Sequence, residues 1–150
     1  MRQTIRTNSD NADFLPLVAL LDKGLRITDG DDFVFFTQFN KLDAIKNVVL
    51  VYENDEAVGC GAIKKYDDHT AEIKRMFVRE EFRGKGVAKE VLAELERWAK
   101  ELGFEQCILE TGNMLTNAIK LYEASGYERT SNYGQYIGVP ASVCMRKKIW

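Results

Sequence analysis

The sequence predicts an α/β protein of the α+β type, with a mixed, mostly antiparallel central sheet flanked by helices. Three observations carry this expectation. Apolar residues recur with a helical period between residues 14 and 25, then switch to short strand-like runs after residue 46. The first of those runs follow one another across tight turn signals, as hairpins do. Only afterwards does a strand–helix–strand unit appear, so the order is not that of a strictly alternating, doubly wound sheet.

The elements follow in order. "RQTIRT" alternates weakly and reads as a first strand. "DFLPLVALLDKGL" puts Phe14, Leu17, Val18, Leu21 and Leu25 at helical spacing, with Asp13 as a plausible N-cap and Pro16 in the first turn. "ITDGDDF" reads as a loop and "FFTQFNKLDAIK" as a weaker helix. "NVVLVYE" and "AVGCGAIK" are strands joined at Asn54 and Asp55. After the turn "YDDHT", "AEIKRMFV" is a third strand of this group. A long helix comes next, with Val87, Val91, Leu92, Leu95, Trp98, Ala99 and Leu102 on one face and Gly103 as C-cap. "EQCILET" is a buried strand, "TNAIKLYEASGY" a short helix closed by Gly126, and "SVCMRKKI" a last strand with Val143, Met145 and Ile149 on one side.

The 150 residues suit one domain, residues 1–150, with a proper core. With 45% hydrophobic and 29% charged residues the composition is that of a globular protein. The formal net charge of -2, with Lys and Arg interleaved among Asp and Glu, excludes the basic stripe of a nucleic-acid binder. Cys60, Cys107 and Cys144 each sit in an apolar run and form no Cys-x-x-Cys pair. They read as buried, reduced thiols rather than a disulfide framework or zinc site. His69, the only histidine, lies in a turn and reads as a surface residue; no metal site is expected. No apolar run reaches membrane-spanning length and the N-terminus lacks a signal core, so the expected location is the cytoplasm, with no membrane partner.

The most informative stretch is "EFRGKGVA". Arg83-Gly84-Lys85-Gly86-Val87-Ala88 follows a strand and opens a helix. Free N–H groups and the helix dipole favour an anion there, and glycines let the backbone approach a diphosphate closely. Arg83 and Lys85 add positive charge. A P-loop is excluded, because it needs Gly-x-x-x-x-Gly-Lys followed by Ser or Thr, and Val87 follows Gly86 here. A Rossmann fingerprint is excluded because its third glycine position holds Lys89 and the turn lies past mid-chain. A glycine turn with no ligand is the plain alternative.

Arg83-x-x-Gly86-x-Ala88 resembles the Arg/Gln-x-x-Gly-x-Gly/Ala signature of the GNAT superfamily, the acetyl-CoA-dependent N-acetyltransferases. "NAIKLYEASGY" resembles their second signature, Asn-x-x-Ala-x-x-Leu-Tyr-x-x-x-Gly-Phe/Tyr, with the alanine early in the pattern. The "VGCGAI" strand is similar to the third strand of many members. The element order matches too, so the resemblance covers essentially the whole chain and implies the acyl-CoA N-acyltransferase fold. It also implies acetyl-CoA as co-substrate, an amine acceptor on a small molecule or peptide, and a possible homodimer.

The resemblance places the CoA diphosphate on the backbone amides of Arg83, Gly84, Lys85, Gly86, Val87 and Ala88. It places the pantetheine arm beside Met76, Phe77 and Val78, where a backbone N–H would meet the developing oxyanion. Glu72 is the candidate base, since a carboxylate on a partly buried strand can be tuned for proton removal near neutrality. Its alternative is an edge-strand glutamate paired with Lys74. Glu110 is the rival base, and some members use water alone. Tyr122 would protonate the departing thiolate, or else simply pack in the core. Asn117 resembles a CoA-contacting asparagine, or is a helix cap.

In the family the acceptor pocket comes from the early helices and the loop before the last strand. Here these carry Asp29, Asp31 and Asp32 beside Phe33, Phe35 and Phe36, and then Tyr133, Gln135 and Tyr136. An acidic and aromatic pocket would suit a small cationic amine. A solvated acidic loop with hydrophobic packing is the alternative. A non-catalytic acetyl-CoA sensor, O-acetylation and a longer acyl donor stay open from sequence.

Overall fold

The computed structural model describes residues 1–29 and 45–150, with side chains described to Leu25 and from Ile45. The elements are β1 (Arg2–Thr7), α1 (Phe14–Asp29), β2 (Asn47–Glu53), β3 (Glu56–Asp67), β4 (Thr70–Val78), α2 (Val87–Glu101), β5 (Gln106–Gly112), α3 (Thr116–Ala124), β6 (Glu128–Thr130) and β7 (Ser142–Lys148). Among the described residues seven strands form one sheet in the order β1-β2-β3-β4-β5-β7-β6. Every neighbouring pair is antiparallel except β4 and β5, which are parallel.

The local chemistry explains the elements. Asn54 and Asp55 have φ of 49° and 71°. Two positive φ values in a two-residue turn match the twist of the flanking strands, and Asn and Asp tolerate them. β2 is apolar along its length because both its faces are buried. Val48 and Leu50 pack with Phe14 and Leu17 of α1, while Val49 and Val51 pack with Val87, Val91 and Leu95 of α2.

Gly59 and Gly61 set the distance between β3 and α2. A Cβ on Gly59 would lie 2.6 Å from Val87 Cγ1, and one on Gly61 would lie 2.7 Å from Val91 Cγ1. The bare backbone therefore lets α2, and the turn before it, sit close on the sheet.

Two expectations need correction. α1 continues through Gly24 to Asp29, into the stretch read as loop, because no proline interrupts it and a single glycine is only mildly unfavourable in a helix. Leu102 falls just past α2 and is 51% exposed, so it leaves the apolar face that Val87, Val91, Leu92, Leu95 and Ala99 do form. Gly103, at φ 95°, takes up the left-handed conformation expected where that helix ends. The weak helix expected over residues 35–46 lies outside the described residues, apart from Ile45 and Lys46. All three cysteines are buried free thiols.

β4 carries the feature that shapes the site. Opposite β3, Cys60 pairs with Phe77 but Ala62 pairs with Lys74, so two residues of β4 face one of β3. The bulge is at Arg75, whose φ is 60°, a rare conformation for a non-glycine residue. The extra residue changes the faces. Before it Ala71 and Ile73 point into the α2-side core; after it Met76 and Val78 do, and Phe77 turns toward α1.

Candidate active site

β4 and β5 pair only from Thr70 to Glu72 on one strand and Gln106 to Ile108 on the other. Beyond Glu72 they part, and among the described residues no strand pairs with β4 on its β5 side. A cleft opens between them. Glu72, Lys74, Arg75 and Met76 line it from β4, Glu110 from β5, and Tyr122 from α3.

Glu72 is 7% exposed and lies on an interior strand, which corrects the edge position of its alternative reading, though the Lys74 pairing of that reading is present. Its Oε2 accepts a hydrogen bond of 2.6 Å from the Tyr133 hydroxyl, and its Oε1 lies 3.8 Å from Lys74 Nζ. Burial holds the Lys74 ammonium below its usual pKa, against the attraction of Glu72. Glu110 accepts 2.7 Å from Ser142 Oγ. Arg75, pushed toward α1 by the bulge, donates 2.6 Å to Asp22. Tyr122 is buried, with its ring edge-on to Tyr127 at 5.9 Å. Burial, and then the nearby Glu110 charge, push its phenol well above the ordinary value, so it keeps its proton through the neutral range.

The glycine turn lies at the end of β4. Gly84 and Gly86 have φ of 76° and 83°, and a Cβ at Gly84 would meet nothing within 4 Å. Gly86 occupies the N-cap position of α2 and no side chain caps the helix. The first amides of α2 therefore have no side-chain acceptor, an arrangement that fits an anion. The Arg83 N–H already donates to Glu80 O at 3.2 Å, so the amides open to a ligand narrow to Gly84 through Ala88. Arg83 Nε donates to Val78 O at 2.9 Å and its guanidinium lies 5.6 Å from the Phe77 ring centre, which ties the turn to β4. Lys85 is exposed with its ammonium over the Phe82 ring, and Val87 is buried, so only its backbone faces the turn.

The structure thus gathers Glu72, Glu110, Met76 and Tyr122 around one cleft, with Phe77 and Val78 leading from it to the glycine turn. Asn117 stands apart. It is exposed, in the first turn of α3, and the cap position is Leu115, which corrects the helix-cap alternative. His69 is on the surface, 3.4 Å from Glu105. Asp29, Asp31, Asp32, Phe33, Phe35 and Phe36 lie outside the residues whose side chains are described. Sequence reasoning missed three contacts: Tyr133 on Glu72, Asp22 on Arg75, and Arg2, whose Nη2 donates 3.1 Å to Lys85 O in the glycine turn. Each joins segments more than fifty residues apart, and no local pattern signals it.

Residues 18–127 match the model of the acetyltransferase (GNAT) family. The chain belongs to the GNAT family. It is 41% identical to the uncharacterized N-acetyltransferase YsnE of Bacillus subtilis over 65% of this chain and 66% of YsnE. The match to YjgM of Escherichia coli, also an uncharacterized N-acetyltransferase, covers 53% of this chain and about half of that protein, 49%. Among solved structures, one from Klebsiella pneumoniae, described as an acyl-CoA N-acyltransferase, superposes with a TM-score of 0.84 at 27% identity, covering 100% of this chain and 99% of that one. A GNAT acetyltransferase from Elizabethkingia anophelis, solved with acetyl-CoA bound, shares the GNAT fold at a TM-score of 0.68 and 18% identity, covering 98% of this chain and 97% of that one. No helix among the described residues is long and apolar enough to cross a membrane.

Proposed function

We propose that the protein is an N-acetyltransferase that moves the acetyl group of acetyl-CoA to a primary amine of a small molecule or peptide by direct attack. One observation carries the reading. Past Glu72 the β5-side edge of β4, unpaired among the described residues, leads from that carboxylate toward the amides at Gly84–Ala88, with Tyr122 lining the same cleft. An extended thioester cofactor needs that sequence of groups: a strand edge for its amide-bearing arm and a helix start for its diphosphate. Bound acetyl-CoA supplies the activated acetyl group.

This chain's residues do the rest. The amides of Gly84 to Ala88 hold the diphosphate, with Lys85 adding charge. A backbone N–H among Met76, Phe77 and Val78 faces the carbonyl oxygen as charge develops there. Glu72 takes the proton from the acceptor amine, which must be neutral to attack. Tyr122 returns a proton to the thiolate. Its phenol is a weak acid in this setting, but the same desolvation makes a neighbouring thiolate a stronger base.

The test is thiol release from acetyl-CoA across polyamines, amino acids, aminoglycosides and short peptides, with wild type and Glu72→Gln. Release with one acceptor class, weakened in Glu72→Gln, is the expected result. CoA binding without release for any amine would overturn the reading in favour of a non-catalytic acetyl-CoA sensor.

A further inference from the structure

The loop between β6 and β7 is a closed unit. Asn132 Nδ2 donates to Tyr136 O at 3.1 Å and to Val139 O at 3.0 Å, and Tyr136 N–H donates to Tyr133 O at 2.9 Å. Tyr136 is 3% exposed and packs with Cys144 of β7. From this anchored loop the Tyr133 ring projects between two others. It meets Tyr66 edge-on at 5.2 Å and Tyr136 edge-on at 5.6 Å. Rings on two sides and a braced backbone leave its hydroxyl little freedom, and that hydroxyl sits on Glu72 Oε2.

A glutamate side chain has several rotamers, and proton removal requires one of them. We propose that Tyr133 is a positioning residue for the acetyl transfer, holding Oε2 of Glu72 so that Oε1 is kept on the Lys74 side of the cleft. This rests on the reading of Glu72 as the base. The loop before the last strand then does more than shape an acceptor pocket: it fixes the orientation of the group that activates the acceptor. Burial and the Glu72 charge keep the Tyr133 phenol protonated far beyond neutral pH, so it donates throughout the working range. Other groups stand near Glu72 or its partner. Lys64 is its register partner on β3, Lys74 on β4, Cys144 on β7 and Tyr136 in the loop feel its charge, and Arg75, itself bonded to Asp22 of α1, and Glu110 on β5 act on Lys74.

Tyr133→Phe keeps the ring and its edge contacts but removes the donor. The expected result is a kcat lower by about tenfold, the factor a hydrogen bond to a charged group is worth. The KM for acetyl-CoA should stay unchanged, which a general defect of the fold would not spare. The double variant Glu72→Gln, Tyr133→Phe should be no slower than Glu72→Gln alone. A wild-type rate in Tyr133→Phe, or additive losses in the double variant, would overturn the proposal. The carbon-13 chemical shift of the Glu72 carboxyl at one fixed pH, in wild type and Tyr133→Phe, separates the two claims. If Glu72→Gln leaves the rate intact, the base assignment fails, while a carboxyl signal unmoved by Tyr133→Phe shows that Tyr133 does not hold the carboxylate.

Discussion

At the glycine turn the groups that face outward are backbone amides of consecutive residues, Gly84 to Ala88, presented by two positive-φ glycines. Around Glu72 they are side chains drawn from β4, β5, α3 and the β6–β7 loop, with Tyr133 and Glu72 61 residues apart in the chain. The difference teaches what each half tolerates. A backbone site is defined by conformation and survives many side-chain changes. A side-chain site is defined by a few atoms, and one atom can disable it.

The largest expected effect tests the side-chain half. Glu72→Gln should lower kcat about 100-fold, as loss of a general base does, with the KM for acetyl-CoA unchanged in steady-state thiol release. A change in KM alone would erase the division between the halves. Next comes the backbone half. Gly86→Val forces a β-branched residue into φ 83°. The penalty of about 1–2 kcal/mol should appear as a roughly tenfold rise in KM for acetyl-CoA, with kcat retained. A wild-type KM would show that the turn does not define the donor site.

A smaller effect concerns what braces the turn. Arg2 bonds Glu53, donates to Glu90 Oε2 at 3.1 Å and reaches the Lys85 carbonyl. Arg2→Ala should raise the KM for acetyl-CoA about fivefold, the worth of one net hydrogen bond, and leave acceptor KM alone. An effect confined to acceptor KM would reverse the assignment of halves.

The smallest effect at working pH belongs to the sheet that both halves share. Burial pushes the Cys60 and Cys107 thiols up to about 12 from 9.0, and the Tyr52 phenol to about 12 from 10.0. The folded state keeps protons there that the unfolded chain releases. These groups therefore stabilise fully below pH 9, and their contribution falls as pH rises from 9 through 12. Urea midpoints measured along that range should decline, and a flat series would show that these groups are not desolvated.

The glycine turn was legible in the sequence because its information is local. "RGKGVA" encodes the turn, whereas the close approach of α2 over the glycines of "VGCGAI" appears only in the fold. Asn54-Asp55 marked its hairpin locally as well. The side-chain cluster around Glu72 was not legible. Tyr133 could be named as a lining residue, but its bond to Glu72 depends on a loop closed by Asn132 and on strand order β5-β7-β6. The bulge was hidden as well. A period of two read through "AEIKRMFV" puts Glu72 and Met76 on the same face, and the extra residue at Arg75 separates them.

An unpaired strand edge on the outside of a protein invites a strand from another molecule. The β5-side edge of β4 is different in kind, because it begins paired beside Ile108 and, among the described residues, loses its partner only past Glu72, within one sheet. A polypeptide seeking to zip onto it would have to seat side chains above and below, where Met76 and Phe77 already fill the two layers. A slender chain with amides and few side groups meets less of an obstacle. On the proposed reading, then, the cleft would admit a thin thread where a second polypeptide strand would be obstructed.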